Sequence, residues 1–275
     1  IKKEAKEFIR KGTLLIEIAE FIERRITELG GKTAFPTNLS LNEIAAHYTP
    51  SINDKKRAEG LLKVDFGVEI DGFIADTAFS LDLTEEKKYE EMIKFNENIL
   101  KETINSLNYE SKVFEIGKKI SSLLKEKKFK VIRNLTGHSL SKYEIHASPS
   151  IPNIENKDET PLKEKAIAIE PFLTEGVGEV KEGESSEIFM LINNEKKPRT
   201  KESREFLDFI KKEYKTKPFC KRWLEKKGFK QIYLFLLVKE GFLYNFPILI
   251  EKSRYPVSQV EESIVFFKGE KKVIT

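Results

Sequence analysis

Apolar residues recur at helical spacing through the first thirty positions, "IKKEAKEFIRKGTLLIEIAEFIERRITELGG", with acids and bases interleaved between them. The pattern predicts one amphipathic helix, and Gly30-Gly31 supplies the left-handed backbone at which it stops. A polar, proline-punctuated stretch leads to two strand-length apolar runs, "LLKVDFGVEI" and "FIADTAFSLDL". Thr84 is placed to cap a helix running through about Leu107, with Glu85 and Glu86 in its favourable first turn. Helical spacing returns from about Val113 to Phe129; "VIRNLTGHSLSKYEIHASPSIPN" then reads as strand and loop, ahead of the apolar run "AIAIEPFL". Beyond Pro198 the texture becomes helical and basic, before strands resume at "FPILIE" and "VEESIVFF". Helices gathered around hairpins predict a single α+β domain over residues 1–275, with a small helical insertion over about 195–245.

Composition narrows the class without naming it. A chain of 275 residues can bury a large core, and 49 Lys or Arg against 45 Asp or Glu is too even for a general polyanion binder. No apolar run approaches a membrane span, and the N-terminal helix lacks the uncharged centre of a signal peptide. A soluble, cytoplasmic protein without membrane contact is the expectation. The single Cys220 cannot form an intramolecular disulfide, and in "KPFCKRWLEKKG" it reads as a small core residue. Residues 195–230 hold fourteen Lys or Arg against six Asp or Glu. Such a cluster could attract the phosphates of ribosomal RNA, although a solvated helical face in a lysine-rich chain is the favoured reading.

Candidate chemistry starts in "VDFGVEIDGFIADTAF", where Asp65 and Asp76 stand among apolar neighbours. Buried carboxylates need partners or must surrender their charge. Asp71-Gly72 is a strong hairpin signal; with those two as the turn, Ile70 opposes Phe73 and Asp65 opposes Ala78. The two aspartates then become diagonal neighbours on one face, ~7–8 Å apart at Cα. A loop one residue longer or shorter would separate them. Taken alone, such a pair is better explained as a sheet-edge feature held by lysines or backbone N–H groups. Three histidines, His47, His138 and His146, each lie in a small-residue or turn-rich context suited to a cleft wall. Glu170 closes a buried-looking strand, and Glu261 does so less clearly because Glu262 follows it. Together Asp65, Asp76, His138, Glu170 and Glu261 offer four carboxylates and one imidazole. Two divalent cations would balance that charge, and the oxygen-rich set suits Mn²⁺, Fe²⁺ or Co²⁺ better than a thiolate zinc site would. Spacing alone does not bring the five together.

The stretches "AFPTNLSLNEIAAHYTP", "KVDFGVEIDGFIADTAF", "NLTGHSLSKYEIHASPSIPN", "AIEPFLTEGVG" and "PRTKESREFLDFI…PFCKRWL" resemble the type II methionine aminopeptidases, in order and over nearly the whole chain. The resemblance implies the pita-bread fold, with the type II helical insertion after Pro198. It implies a dinuclear site of two divalent ions (Co, Mn, Fe, Zn or Ni) on Asp65, Asp76, His138, Glu170 and Glu261, with Asp76 and Glu261 bridging. A hydroxide shared with the metals would attack the carbonyl after an N-terminal Met. Glu170 would shuttle the proton, His146 would hydrogen-bond the carbonyl oxygen, and His47 would sit at the mouth of the Met pocket. Phe35, Phe246 and Leu249 would line that pocket. The implied partner is a peptide or nascent chain, met by a monomer.

Several positions depart from the family pattern. Glu262 stands where His usually follows the last ligand, Phe246 where Tyr is usual, and Ser148 where "IHA" continues with Gly. A further His usually lies about eighteen residues past the "IEPF" Glu, and here the text reads "SSEIFML". Xaa-Pro aminopeptidases and prolidases share the five ligands; the insertion, the text around His47 and His146, and the lack of their large N-terminal domain favour the Met enzyme. A non-catalytic binding relative is the rival from another class, and the retained ligands argue against it.

Overall fold

The computed structural model describes residues 1–192 and 196–275; residue 195, where the expected insertion starts, lies outside the described residues. Its first half is organised by one tight turn. Asp71 (φ 53°) and Gly72 (φ 91°) are both left-handed, as a two-residue hairpin turn requires. They join the strands Leu61–Ile70 and Phe73–Asp82 with Ile70 opposite Phe73 and Asp65 opposite Ala78. Strands Asn38–Leu41 and Lys32–Thr33 pair along the other edge of Leu61–Ile70.

Two helices, Lys2–Phe8 and Leu15–Glu28, back this sheet where one was expected. The chain turns at Gly12 (φ 92°) because tertiary hydrogen bonds take over from helical ones. Gly12 N–H donates to the Ala58 carbonyl (2.8 Å), Ala58 N–H to Thr13 (2.7 Å) and Leu15 N–H to Lys56 (2.9 Å). The third helix, Glu90–Ser106, also starts later than Thr84. Asp82 is the reason: its carboxylate accepts from the Thr84 N–H and hydroxyl and from the Tyr89 N–H, winding residues 84–89 into a loop. Glu85 and Glu86 therefore precede the helix, and Glu90 and Glu91 occupy its first turn. The fourth helix is Val113–Leu124, ending short of Phe129.

These two later helices pack against a five-stranded antiparallel sheet in the order Glu270–Val273, Glu262–Phe267, Lys165–Ile169, Thr136–Ser141, Glu144–Pro152. Glu170-Pro171 splits the run "AIAIEPFL", so that Phe172–Thr174 leaves this sheet to pair with Val257–Gln259 and Lys130–Val131. The two halves are stitched where Ala78 and Glu261 form an antiparallel bridge, with N–H···O distances of 3.3 and 3.0 Å. Between the strands Val180–Leu191 and Leu243–Glu251 run the helices Lys201–Glu213, Lys221–Lys226 and Gln231–Lys239, around a separate apolar cluster that includes Phe206, Ile210, Phe219 and Leu237. Cys220 is buried and unpaired at its edge. Among the described residues no helix is long and apolar enough to cross a membrane.

Candidate metal centre

The hairpin register sets Asp76 opposite Gly67, two positions from Asp65, so both aspartates face the same way. Ser263 pins this strand to the other sheet, accepting from the Asp76 N–H and donating to the Asp76 carbonyl, both at 2.8 Å. The Ala78–Glu261 bridge delivers Glu261 to the same face, while Glu262 turns outward to meet Lys2 at 2.7 Å. From the five-stranded sheet come His138, on Thr136–Ser141, and Glu170, at the end of Lys165–Ile169. One donor atom each from Asp76, His138 and Glu261 lie within 4.8 Å of one another. His138 Nε2 is 3.6 Å from both Asp76 Oδ2 and Glu170 Oε1.

These short distances are not ion pairs. Burial, and then the neighbouring His146, pull the His138 pKa down to about 3, so the ring is neutral at pH 7. Its Nδ1 lies 3.4 Å from the Ser139 carbonyl, which can only accept, so the proton belongs on Nδ1. The Nε2 lone pair then faces two carboxylates, an arrangement that repels unless a proton or a metal cation lies between them. The acids carry the same message. Burial raises Asp65 to about 7; it raises Asp76, Glu170 and Glu261 well above the carboxylate range, with the other carboxylates adding to it. Asp65 Oδ1, Asp76 Oδ1 and Glu261 Oε1 are buried with no hydrogen-bond partner. Each such orphan costs about 1–3 kcal/mol or more. A set of carboxylates with one Nε2 donor, its Nδ1–H turned to a backbone carbonyl, fits a divalent metal.

The centre opens into a cavity of about 310 Å³, whose lining includes His47, His146, Phe35, Phe246 and Leu249 along with all five of the residues above. His47 adopts left-handed backbone (φ 67°), which a non-glycine residue rarely does. Its Nδ1–H donates to the Pro247 carbonyl (3.0 Å), leaving Nε2 an acceptor, and burial lowers the proton affinity of the ring. Phe246 packs edge-on to it, ring centroids 5.1 Å apart. His146 stands edge-on to His138 at 4.7 Å. His146 is exposed as a whole residue, yet desolvation by the groups packed around it and the nearby His47 pull its pKa to about 4.

The sequence model of metallopeptidase family M24 matches residues 1–191, more than two thirds of the chain. The chain belongs to metallopeptidase family M24. A methionine aminopeptidase of Methanocaldococcus jannaschii is 38% identical across 100% of this chain and 94% of its own length. One from Thermococcus onnurineus is 42% identical over 98% and 92%. Among solved structures, a thermophilic Arx1 superposes with a TM-score of 0.80 at 17% identity, covering 98% of this chain and 86% of its own. A methionine aminopeptidase from Thermotoga maritima gives 0.66 at 18% identity, over 98% and 89%. The prolidase from Pyrococcus furiosus gives 0.58 at 17% identity, over 98% of this chain and 57% of its own. At those identities the likeness establishes the fold, which is the pita-bread fold. Family membership makes the chain a metal-dependent hydrolase.

The M24 cavity has further walls that motif reading passed over. Gln259 lies two residues before Glu261 and points its amide at Glu170 Oε2 (3.5 Å); that spacing was its only signal. Ile188 stands eighteen residues past Glu170, where a His was sought, and lines the cavity as an alkyl wall. Pro218 reaches it from the turn between two helices far along the chain, which no local pattern announces. Many of the basic residues after Pro198 are also committed within the protein: Lys217 to Glu69, Lys221 to Glu187, Arg222 to Glu23, Lys226 to Glu20 and Lys227 to Glu213.

Proposed function

We propose that this chain removes the N-terminal methionine from peptides and nascent proteins, with Asp65, Asp76, His138, Glu170 and Glu261 holding two divalent ions. The observation that carries the reading is the set of orphaned buried oxygens on Asp65, Asp76 and Glu261, with the Nε2 of His138 3.6 Å from Asp76 and Glu170, in a cavity that Phe35, Ile188, Pro218, Phe246 and Leu249 also line. When bound there, the ions would polarise the scissile carbonyl and make a water acidic enough to act as nucleophile near pH 7. The chain's own groups account for the rest. Phe35, Ile188, Pro218 and Phe246 offer an apolar wall to the unbranched thioether side chain. Glu170, whose proton affinity is raised by burial, carries a proton from water to the leaving amine. His146 donates an N–H to the carbonyl oxygen as charge develops on it. His47, with Nδ1–H tied to Pro247, presents Nε2 as an acceptor for a substrate N–H. Crowding by the two imidazoles favours a small second residue such as Gly, Ala or Ser.

Initial rates on a Met-Ala-Ser peptide and an Ala-Pro peptide, after metal stripping and after adding back Mn²⁺ or Co²⁺, test this reading. Metal-dependent release of Met from the first peptide alone is expected; cleavage of the Ala-Pro peptide would move the chain to the Xaa-Pro branch. Contact with ribosomal RNA is a subordinate proposal, supported by the positive surplus of residues 195–230 and weakened by the carboxylate partners of several of them. Salt-insensitive binding to ribosomes, or none, would remove it.

A further inference from the structure

Side chains two apart on a strand share a face, so Asp65, Gly67 and Glu69 line up along Leu61–Ile70. Asp65 belongs to the metal centre. Gly67 seats the cavity residue Phe35, because a Cβ there would lie 2.5 Å from the Phe35 ring. Glu69 is 3% exposed, and its carboxylate accepts from Lys217 Nζ (2.7 Å) and from the Gly72 N–H (2.6 Å). Lys217, 5% exposed, also reaches the Thr33 carbonyl at 3.4 Å, two residues before Phe35. It lies in the turn between Lys201–Glu213 and Lys221–Lys226, and the next residue, Pro218, lines the cavity. A buried ion pair thus fastens that turn to the strand that carries Asp65, one residue from the cavity wall.

We propose that the Lys217–Glu69 pair is a positioning device for substrate specificity. It holds Pro218 and the Thr33–Phe35 segment at a spacing that admits the unbranched side chain of methionine and excludes γ-branched leucine. This rests on the reading of the cavity as the site of the N-terminal side chain. The pair differs in this from the other ties of the same region to the helix Leu15–Glu28, Arg222–Glu23 and Lys226–Glu20, none of whose residues has a chain neighbour that lines the cavity.

The test compares kcat/KM for Met-Ala-Ser and Leu-Ala-Ser on the Mn²⁺-loaded protein. Lys217→Met is expected to lower the Met-over-Leu ratio about tenfold, mainly through KM, within the range a change of pocket shape commands. Lys217→Arg should keep most of the ratio. Arg222→Met should leave it unchanged, since general loosening lowers the active fraction for both peptides alike. An unchanged ratio in Lys217→Met overturns the proposal. Should that variant fail to fold, Lys217→Met/Glu69→Gln removes both charges and carries the same expectation. Amide hydrogen exchange over residues 216–220 reads the positioning without any substrate: exchange at least tenfold faster in Lys217→Met is expected, and wild-type rates would overturn it. Wild-type protein that released no Met would overturn the reading of the site, leaving the exchange result to decide the positioning.

Discussion

Two clusters of buried charge in this molecule are built in opposite ways. Around Arg222, which is fully buried, every charge is answered: Glu23 accepts two guanidinium bonds at 2.8 Å and the Trp223 indole N–H at 2.8 Å, and the Arg222 Nε–H meets the Pro50 carbonyl. Around the neutral ring of His138, four carboxylates line one cavity, three of them with an orphaned oxygen. The first cluster is closed by the chain itself. The second is closed only by something the chain does not encode, and that difference separates a structural ion pair from a metal centre without appeal to any relative.

Removing charge should therefore act in opposite senses at the two places. The largest effect is expected on chemistry: Glu170→Gln should lower Met release about 10³-fold, as loss of a positioned proton carrier does. Circular dichroism should stay that of the wild type, and activity within tenfold of it would sink the assigned role. Next is Arg222→Met, which strands Glu23; a loss of about 3–5 kcal/mol in denaturant unfolding is expected, and an unchanged midpoint would show the pair to be idle. The metal centre should respond the other way. Chelation should lower the melting temperature of the wild type, because bound cations stabilise the folded state and their removal leaves like charges facing one another. Glu261→Gln in the metal-free state should instead raise stability by about 1 kcal/mol, or roughly 2–4 °C, by relieving that repulsion. A metal-free variant that melts below metal-free wild type would erase the contrast drawn here.

The smallest effect concerns Cys220, beside the closed cluster. Burial pushes its thiol up to about 12, with Arg222 opposing. A raised pKa leaves only about one thiolate in ten thousand at pH 8, so alkylation of the native protein should be very slow and should rise with pH. Rapid modification at pH 8, with no unfolding, would show the helical region to be open where it is described as closed.

Legibility from the sequence followed the range of the interactions involved. The Asp71-Gly72 turn is a local signal, and counting from it placed Asp65 opposite Ala78, the register observed. The strands at "LLKVDFGVEI" and "VEESIVFF" and the core role of Cys220 were equally local and held. The helix boundaries failed where a distant backbone or a single side chain intervened. Gly12 and Leu15 bond to residues near 58, and Asp82 unwinds the segment that Thr84 would have capped.

Pattern alone thus determined the hairpin, its register, the apolar faces and the residue types able to hold a metal, because each rests on dihedral preferences and spacing within a few residues. Only the tertiary structure decided that residues from 65 to 261 converge on one cavity, that Ile188 and Pro218 wall it, and that Lys217 is tied to Glu69. Those contacts join segments separated by up to about two hundred positions. Their free energy comes from burying and pairing groups that have no reason to meet until the chain is folded.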